Sequence, residues 1–146
     1  MIYSATREDL PTVVELALKI PEEFSFENFP SVDKAKVTEI IFSNWTDAPI
    51  FLYKIENEIV GMVGLALDTL WWSNEPVLQD YMFYIKPEHR SLKVVNALIG
   101  AMRDVAKLND MKVITTFIAS DRTDSKRKLF ERKGFKESGI LMTYGV

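Results

Sequence analysis

The sequence contains one histidine, His89, and no cysteine. These counts exclude disulfides, thiolate zinc sites, a cysteine nucleophile and any site needing two histidines. Chemistry must therefore come from backbone groups, carboxylates, tyrosines or a bound cofactor. One junction gathers groups suited to an anion. A strand ending at Tyr81–Ile85 feeds Pro87-Glu88-His89-Arg90-Ser91-Leu92-Lys93, and a long helix follows. A helix N-terminus offers free N–H groups and a positive dipole end, which suits phosphate. Arg90 and Lys93 add charge at the same spot. With no ligand, the segment is an ordinary strand–helix connection. A second segment, Leu129-Phe130-Glu131-Arg132-Lys133-Gly134-Phe135, reads as a helix end, a glycine cap and an aromatic strand start.

The elements that position these groups follow from periodicity. Ile2–Ala5 reads as a short strand, and Thr6-Arg7-Glu8-Asp9 as a helix N-terminus with acids in its first turn. Leu10, Val13, Val14, Ala17 and Leu18 continue at helical spacing until Pro21. Residues 21–31 show no period, and Val32–Asn44 is helical again. Ile50–Ile55 and Ile59–Leu67 form a hairpin around Glu56-Asn57-Glu58. Gly61 and Gly64 mark a bulge or a close backbone approach. Trp71–Pro76 is a loop, Gln79–Ile85 a strand, Lys93–Leu108 a strongly amphipathic helix and Val113–Ile118 a strand. Asp124–Lys133 is a short basic helix, and Phe135–Tyr144 closes with one or two strands.

The order β-α-α-β-β-β-α-β-α-β requires at least one parallel pair with a crossover helix. It predicts a mixed α/β fold with six to seven strands and about four helices on both faces. A length of 146 residues suits a single domain spanning 1–146. Lysine plus arginine number 18 and aspartate plus glutamate 21, a net charge of −3, so nucleic acid is not expected as a partner. The N-terminus lacks an apolar signal core, and the run Ile59–Leu67 is too short to span a bilayer. A cytoplasmic protein with no membrane partner is expected.

Taken together and in this order, the two segments resemble the GCN5-related N-acetyltransferase (GNAT) superfamily. That family typically reads Val-x-Pro-Glu-Tyr-Arg-Gly-x-Gly-x-Gly/Ala before the long helix, and Tyr-Glu-Lys-x-Gly-Phe later. This chain reads Ile85-Lys86-Pro87-Glu88-His89-Arg90-Ser91-Leu92-Lys93-Val94-Val95, then Phe130-Glu131-Arg132-Lys133-Gly134-Phe135. The resemblance covers nearly the whole chain and implies acetyl-CoA as co-substrate, with no metal. It implies that pantetheine lies between the splayed strands matching Gln79–Ile85 and Val113–Ile118. Pyrophosphate would then sit on Arg90, Ser91, Leu92, Lys93, Val94 and Val95. Tyr84 and Ile85 would bind the cofactor through backbone groups and supply oxyanion donors, and Phe130 stands at a cofactor-contacting position. The family's glycines are replaced by Ser91, Lys93 and Val95, and its usual acid tyrosine by Phe130.

Without that tyrosine, Tyr84, Tyr81, Tyr144 or water could protonate the thiolate. Asp80, His89 and Glu75 are the candidates for general base. Our catalytic set is Asp80, Tyr84 and Tyr144. The resemblance places the acceptor between the segment joining the first two helices and the loop before Gln79. There Phe24, Phe26, Trp71, Trp72 and Glu75 form the expected substrate wall, with Phe29, Glu22, Glu23, Glu27 and Asp68 nearby. Aromatics with carboxylates suit a cationic amine. The sequence therefore reads as an acetyl-CoA-dependent N-acetyltransferase acting on a primary amine of a small molecule or peptide, by direct attack in a ternary complex. The alternative is a non-catalytic CoA-binding or protein-interaction module with the same fold. Family habit points to a homodimer.

Overall fold

A computed structural model describes residues 1–23, 29–116 and 122–144. Its sheet is organised around a hairpin of β2 (Ile50–Ile55) and β3 (Glu58–Thr69). Glu56 and Asn57 turn the chain with φ of 51° and 68°. Two consecutive left-handed residues match the twist of the flanking strands, and asparagine tolerates that conformation well. β1 (Ile2–Ser4) pairs with β2, and β4 (Pro76–Ile85) with β3, both antiparallel. β5 (Lys112–Ile114) pairs with β4 in parallel, so the sheet runs β1-β2-β3-β4-β5. The crossover between β4 and β5 is α3 (Leu92–Leu108), as a parallel pair requires.

Helices cover both faces. α1 (Leu10–Ala17) and α2 (Lys34–Trp45) bury Leu10, Val13 and Ile41 against Leu52, Met62 and Met82. On the other face α3 buries Val94, Leu98 and Met102 against Val60, Val63, Leu65 and Leu78. α4 (Thr123–Arg132) joins that face by packing Phe130 on Phe83, with ring centroids 6.2 Å apart. Gly134, at φ 94°, ends α4 as its type suggests. The mixed α/β architecture with four helices is as expected.

The strand count is not. The described residues form five strands rather than six or seven, because Phe135–Tyr144 forms no strand. Its apolar residues Ile140, Leu141 and Met142 are consecutive rather than alternating, and all three are exposed. The sheet edge available to them is also short, since β5 pairs with β4 only from Val77↔Lys112 to Gln79↔Ile114. The rest of the strand expected at Val113–Ile118 lies partly outside the described residues. Among the described residues no helix is long and apolar enough to cross a membrane.

Both strand glycines sit at irregularities. On β3, Tyr53↔Gly61 is followed by Lys54↔Ile59, which leaves Val60 as an extra residue. Between β3 and β4, Gly64↔Met82 is followed by Leu65↔Asp80, which makes Tyr81 the extra residue. A Cβ on Gly64 would lie 2.6 Å from Met82 Cε and 2.8 Å from Tyr81 Cζ. Glycine there lets β4 bulge, and the bulge sends Tyr81 and Met82 to the same face as α1 and α2.

Candidate active site

The bulge at Tyr81 divides β4. Before it, β4 pairs with β5 as far as Gln79↔Ile114. Beyond it, no strand among the described residues pairs with that edge of β4. The Lys86 amide donates to the Val60 carbonyl at 2.9 Å. In an antiparallel ladder the facing pairs alternate, so Tyr84 and Met82 also turn their backbone groups toward β3. Phe83 and Ile85 turn theirs to the open edge. The Ile85 carbonyl is already held there by Arg90 Nε at 2.9 Å. The Ile85 and Phe83 amides thus face the gap as hydrogen-bond donors.

The open edge leads into the N-terminus of α3. Ser91 is extended, with φ −144° and ψ 159°, and no residue of the loop has positive φ. The backbone path therefore does not require the family's glycines. The cost of serine is different. Ser91 Oγ accepts the Val94 N–H at 3.3 Å, and the Ser91 carbonyl accepts the Val95 N–H at 3.1 Å. The Leu92 and Lys93 amides remain as donors at the helix tip, and the exposed Lys93 supplies charge.

Arg90 is already engaged. Its Nη2 lies 2.6 Å from both carboxylate oxygens of Glu23. The guanidinium also stands 5.9 Å from the centre of the Tyr84 ring. Burial raises the pKa of the Tyr84 hydroxyl, and the Glu23 carboxylate pushes the same way, so Tyr84 holds its proton at neutral pH. Glu23 and Arg90 are 67 positions apart in sequence. No local pattern announces the pair.

On the α1/α2 face, next to the bulge, lies a cavity of about 360 Å³. Ala17 of α1, Val37, Ile40 and Ile41 of α2, and Tyr81 and Met82 of β4 line it. Lys36, exposed to solvent, is the single charged residue of the lining. The Tyr81 hydroxyl is buried with no hydrogen-bond partner among the described residues. Burial pushes its pKa up to about 12, so it too stays protonated.

The three candidate catalytic residues are not brought together. Asp80 pairs across the sheet with Leu65, whose side chain belongs to the α3 face, whereas Tyr84 packs on the α1/α2 face. Asp80 sits at the fork itself, where Thr115 Oγ1 donates to its Oδ2 at 2.8 Å. Burial pushes its carboxyl up to about 6, against hydrogen bonds from Thr115 and the Thr116 amide. Oδ1 is buried without a well-formed partner among the described residues. Tyr144 is fully exposed. Phe130 is buried edge-on against Phe83 and Phe135.

The expected substrate wall is described only in part. Phe24 and Phe26 lie outside the described residues. Trp71 and Trp72 stack edge to face at 5.4 Å but are 92% and 65% exposed. Glu75 is exposed beside them, its amide held by Ser73 Oγ. Their loop precedes Pro76, five residues before Tyr81 along β4, or about 17 Å at about 3.3 Å per residue. The Phe83 amide, the cap made by Ser91 and the Thr115 hydroxyl were not among the residues expected to form the site in these roles. The bulge had a signal in Gly64, and the cap had one in a serine directly before an apolar helical stripe. Among the described residues no cluster of three or more His, Asp and Glu could hold a metal.

The chain resembles solved structures over its full length. A ribosomal-protein-alanine N-acetyltransferase from Brucella melitensis biovar Abortus 2308 matches with TM-score 0.68 and 16% identity, covering 100% of this chain and 98% of that one. An aminoglycoside acetyltransferase, meta-AAC0020, from an uncultured soil metagenomic sample was solved in complex with sisomicin. It matches with TM-score 0.69 and 19% identity, covering 100% and 95%. A protein from Clostridium acetobutylicum, described as a predicted acetyltransferase and solved with acetyl-CoA, gives TM-score 0.74 and 15% identity over 99% and 95%. None of the curated proteins matches the chain. The model of the acetyltransferase (GNAT) family matches residues 15–135. With that match over most of its length, and with the forked β4 edge leading into a helix N-terminus, the chain belongs to the GNAT acetyltransferase family.

Proposed function

We propose that residues 1–146 form one acyltransferase domain that moves the acetyl group of acetyl-CoA to a primary amine of a small molecule or peptide. The observation that carries this reading is the fork: a bulge at Tyr81, pairing with β5 that among the described residues ends at Gln79↔Ile114, and outward amides at Phe83 and Ile85. These donors suit the amide-bearing arm of CoA, which can add to a sheet edge much as a strand does. The Leu92 and Lys93 amides and the Lys93 ammonium suit its pyrophosphate. Bound acetyl-CoA would supply an activated thioester. The Ile85 amide would then meet the charge that develops on the thioester oxygen.

The acceptor enters from the cavity beside Tyr81. As its neutral amine, it attacks the acyl carbon; the N–C bond forms, the C–S bond breaks and sulfur leaves as thiolate. The amine loses its proton to solvent through the open cavity. Tyr84 is assigned as proton donor to the thiolate, because it lies on the cavity face and is protonated at neutral pH. No covalent enzyme intermediate is needed, which suits a chain without cysteine. One observation favours a second reading, CoA binding without catalysis: Phe130 is packed into the core.

A thermal-shift titration with acetyl-CoA tests binding, since a ligand of the native state raises stability by mass action. Release of free thiol with a panel of amines then tests transfer. A shift with amine-dependent thiol release is expected. A shift without thiol release selects the second reading, and no shift at millimolar acetyl-CoA overturns both.

A further inference from the structure

The geometry points to an acceptor with an apolar body and an anionic group, a small hydrophobic amino acid in chemical class, rather than a polycation. This inference rests on the proposed function, because it takes the cavity beside Tyr81 as the acceptor site. The cavity has about 360 Å³, which lies within the range of small-molecule sites, roughly 300–1,000 Å³. Ala17, Val37, Ile40, Ile41 and Met82 give it aliphatic walls. Among the described residues no carboxylate lines it, so a second ammonium placed there would lose hydration without an opposite charge to offset the loss.

The charged group that does line it is Lys36, which makes no ion pair among the described residues. Opposite charge on the ligand would complement it. The Tyr81 hydroxyl, buried and without a partner among the described residues, supplies a polar contact on the β4 side. Glu23, a carboxylate the sequence offered for a cationic acceptor, is spent on Arg90. Trp71 and Trp72, two of the aromatics offered for it, stand in solvent.

The test measures equilibrium binding in the presence of CoA, and thiol release with acetyl-CoA. The probes are leucine, methionine and phenylalanine, their decarboxylated amines, and spermidine. The amino acids are expected to bind at least ten-fold more tightly than spermidine. They should exceed their decarboxylated amines by about five-fold, the upper end for one exposed ion pair. Lys36→Met should remove that five-fold advantage, and Lys36→Glu should reverse it. Val37→Trp, checked for folding by circular dichroism, should abolish binding of all the apolar probes by filling the cavity.

Spermidine binding as tightly as the amino acids would overturn the inference. So would an unchanged preference in Lys36→Glu, or no binding by any apolar acid. Binding in the predicted order without thiol release would uphold the inference while removing the acetyl-transfer reading, so the two fail separately.

Discussion

Asp80→Asn separates the structural role of this carboxylate from a catalytic one. Burial raises the Asp80 pKa from an ordinary 3.8 to about 6. The folded state therefore binds this proton more tightly than the unfolded chain does. The cost of burying the charge is absent below pH 3.8, grows as pH rises and is complete above about 6. At about 1.4 kcal/mol per unit, that cost is about 3 kcal/mol at pH 8 and roughly half as much at pH 5. Asparagine keeps the shape and can still accept from Thr115, but never carries the charge. Its amide N–H groups bring a new demand of about 1 kcal/mol. The variant should gain about 2 kcal/mol at pH 8, or about 4–8 °C in Tm, and the gain should shrink strongly by pH 5. Urea denaturation of both proteins at the two pH values measures this. Equal stability at pH 8, or a gain independent of pH, would refute the reasoning. Because Asp80 faces away from the cavity, thiol release should stay within about ten-fold of wild type. A fall of about 10²–10⁴, typical of a lost general acid or base, would return Asp80 to the role of base.

Ser91→Gly should free the Val94 amide for phosphate. A hydrogen bond to a charged group contributes about 1.5–3 kcal/mol, so acetyl-CoA should bind roughly ten-fold or more tightly by calorimetry, at a cost of only tenths of a kcal/mol in helix capping. Glu23→Gln should release Arg90 and lower the Kd for acetyl-CoA two- to five-fold at low salt, with the effect fading as salt screens it. Gly64→Ala should destabilise by about 1–3 kcal/mol in chemical denaturation, because its methyl would strike Met82 and Tyr81. It should also weaken binding of apolar amines as the Tyr81 ring shifts.

The elements were legible because their signals are local. Alternation from Ile50 to Ile55, the left-handed turn at Asn57 and the apolar stripe of α3 each sit within one stretch of chain. The bulge was half legible: Gly64 marked the place, but not that Tyr81 would be the displaced residue. The site was harder to read. Residue type cannot show which face of β4 a side chain takes once a bulge has broken the alternation, so Asp80 and Tyr84 were grouped although they lie on opposite faces. Nor does type show whether an arginine is free. Arg90 stands at the expected phosphate position, yet its partner comes from the far side of the sheet sequence, 67 residues earlier. The closing strands failed for another reason: apolar residues in Phe135–Tyr144 suggested pairing, but Ile140, Leu141 and Met142 are consecutive rather than alternating and stay exposed.

The clasp between Glu23 and Arg90 makes the two halves of the proposed reaction thermodynamically dependent. Glu23 ends the short turn Pro21–Glu23, and Pro21 itself lines the cavity. A phosphate that takes Arg90 competes with Glu23 and alters the tether on that turn. An acceptor that orders the turn strengthens the tether and opposes the phosphate. Whatever factor one ligand imposes on the other's affinity, the second must impose on the first. In the proposed reaction that coupling would run through one ion pair, so the affinity for either ligand would depend on how much of the other is present.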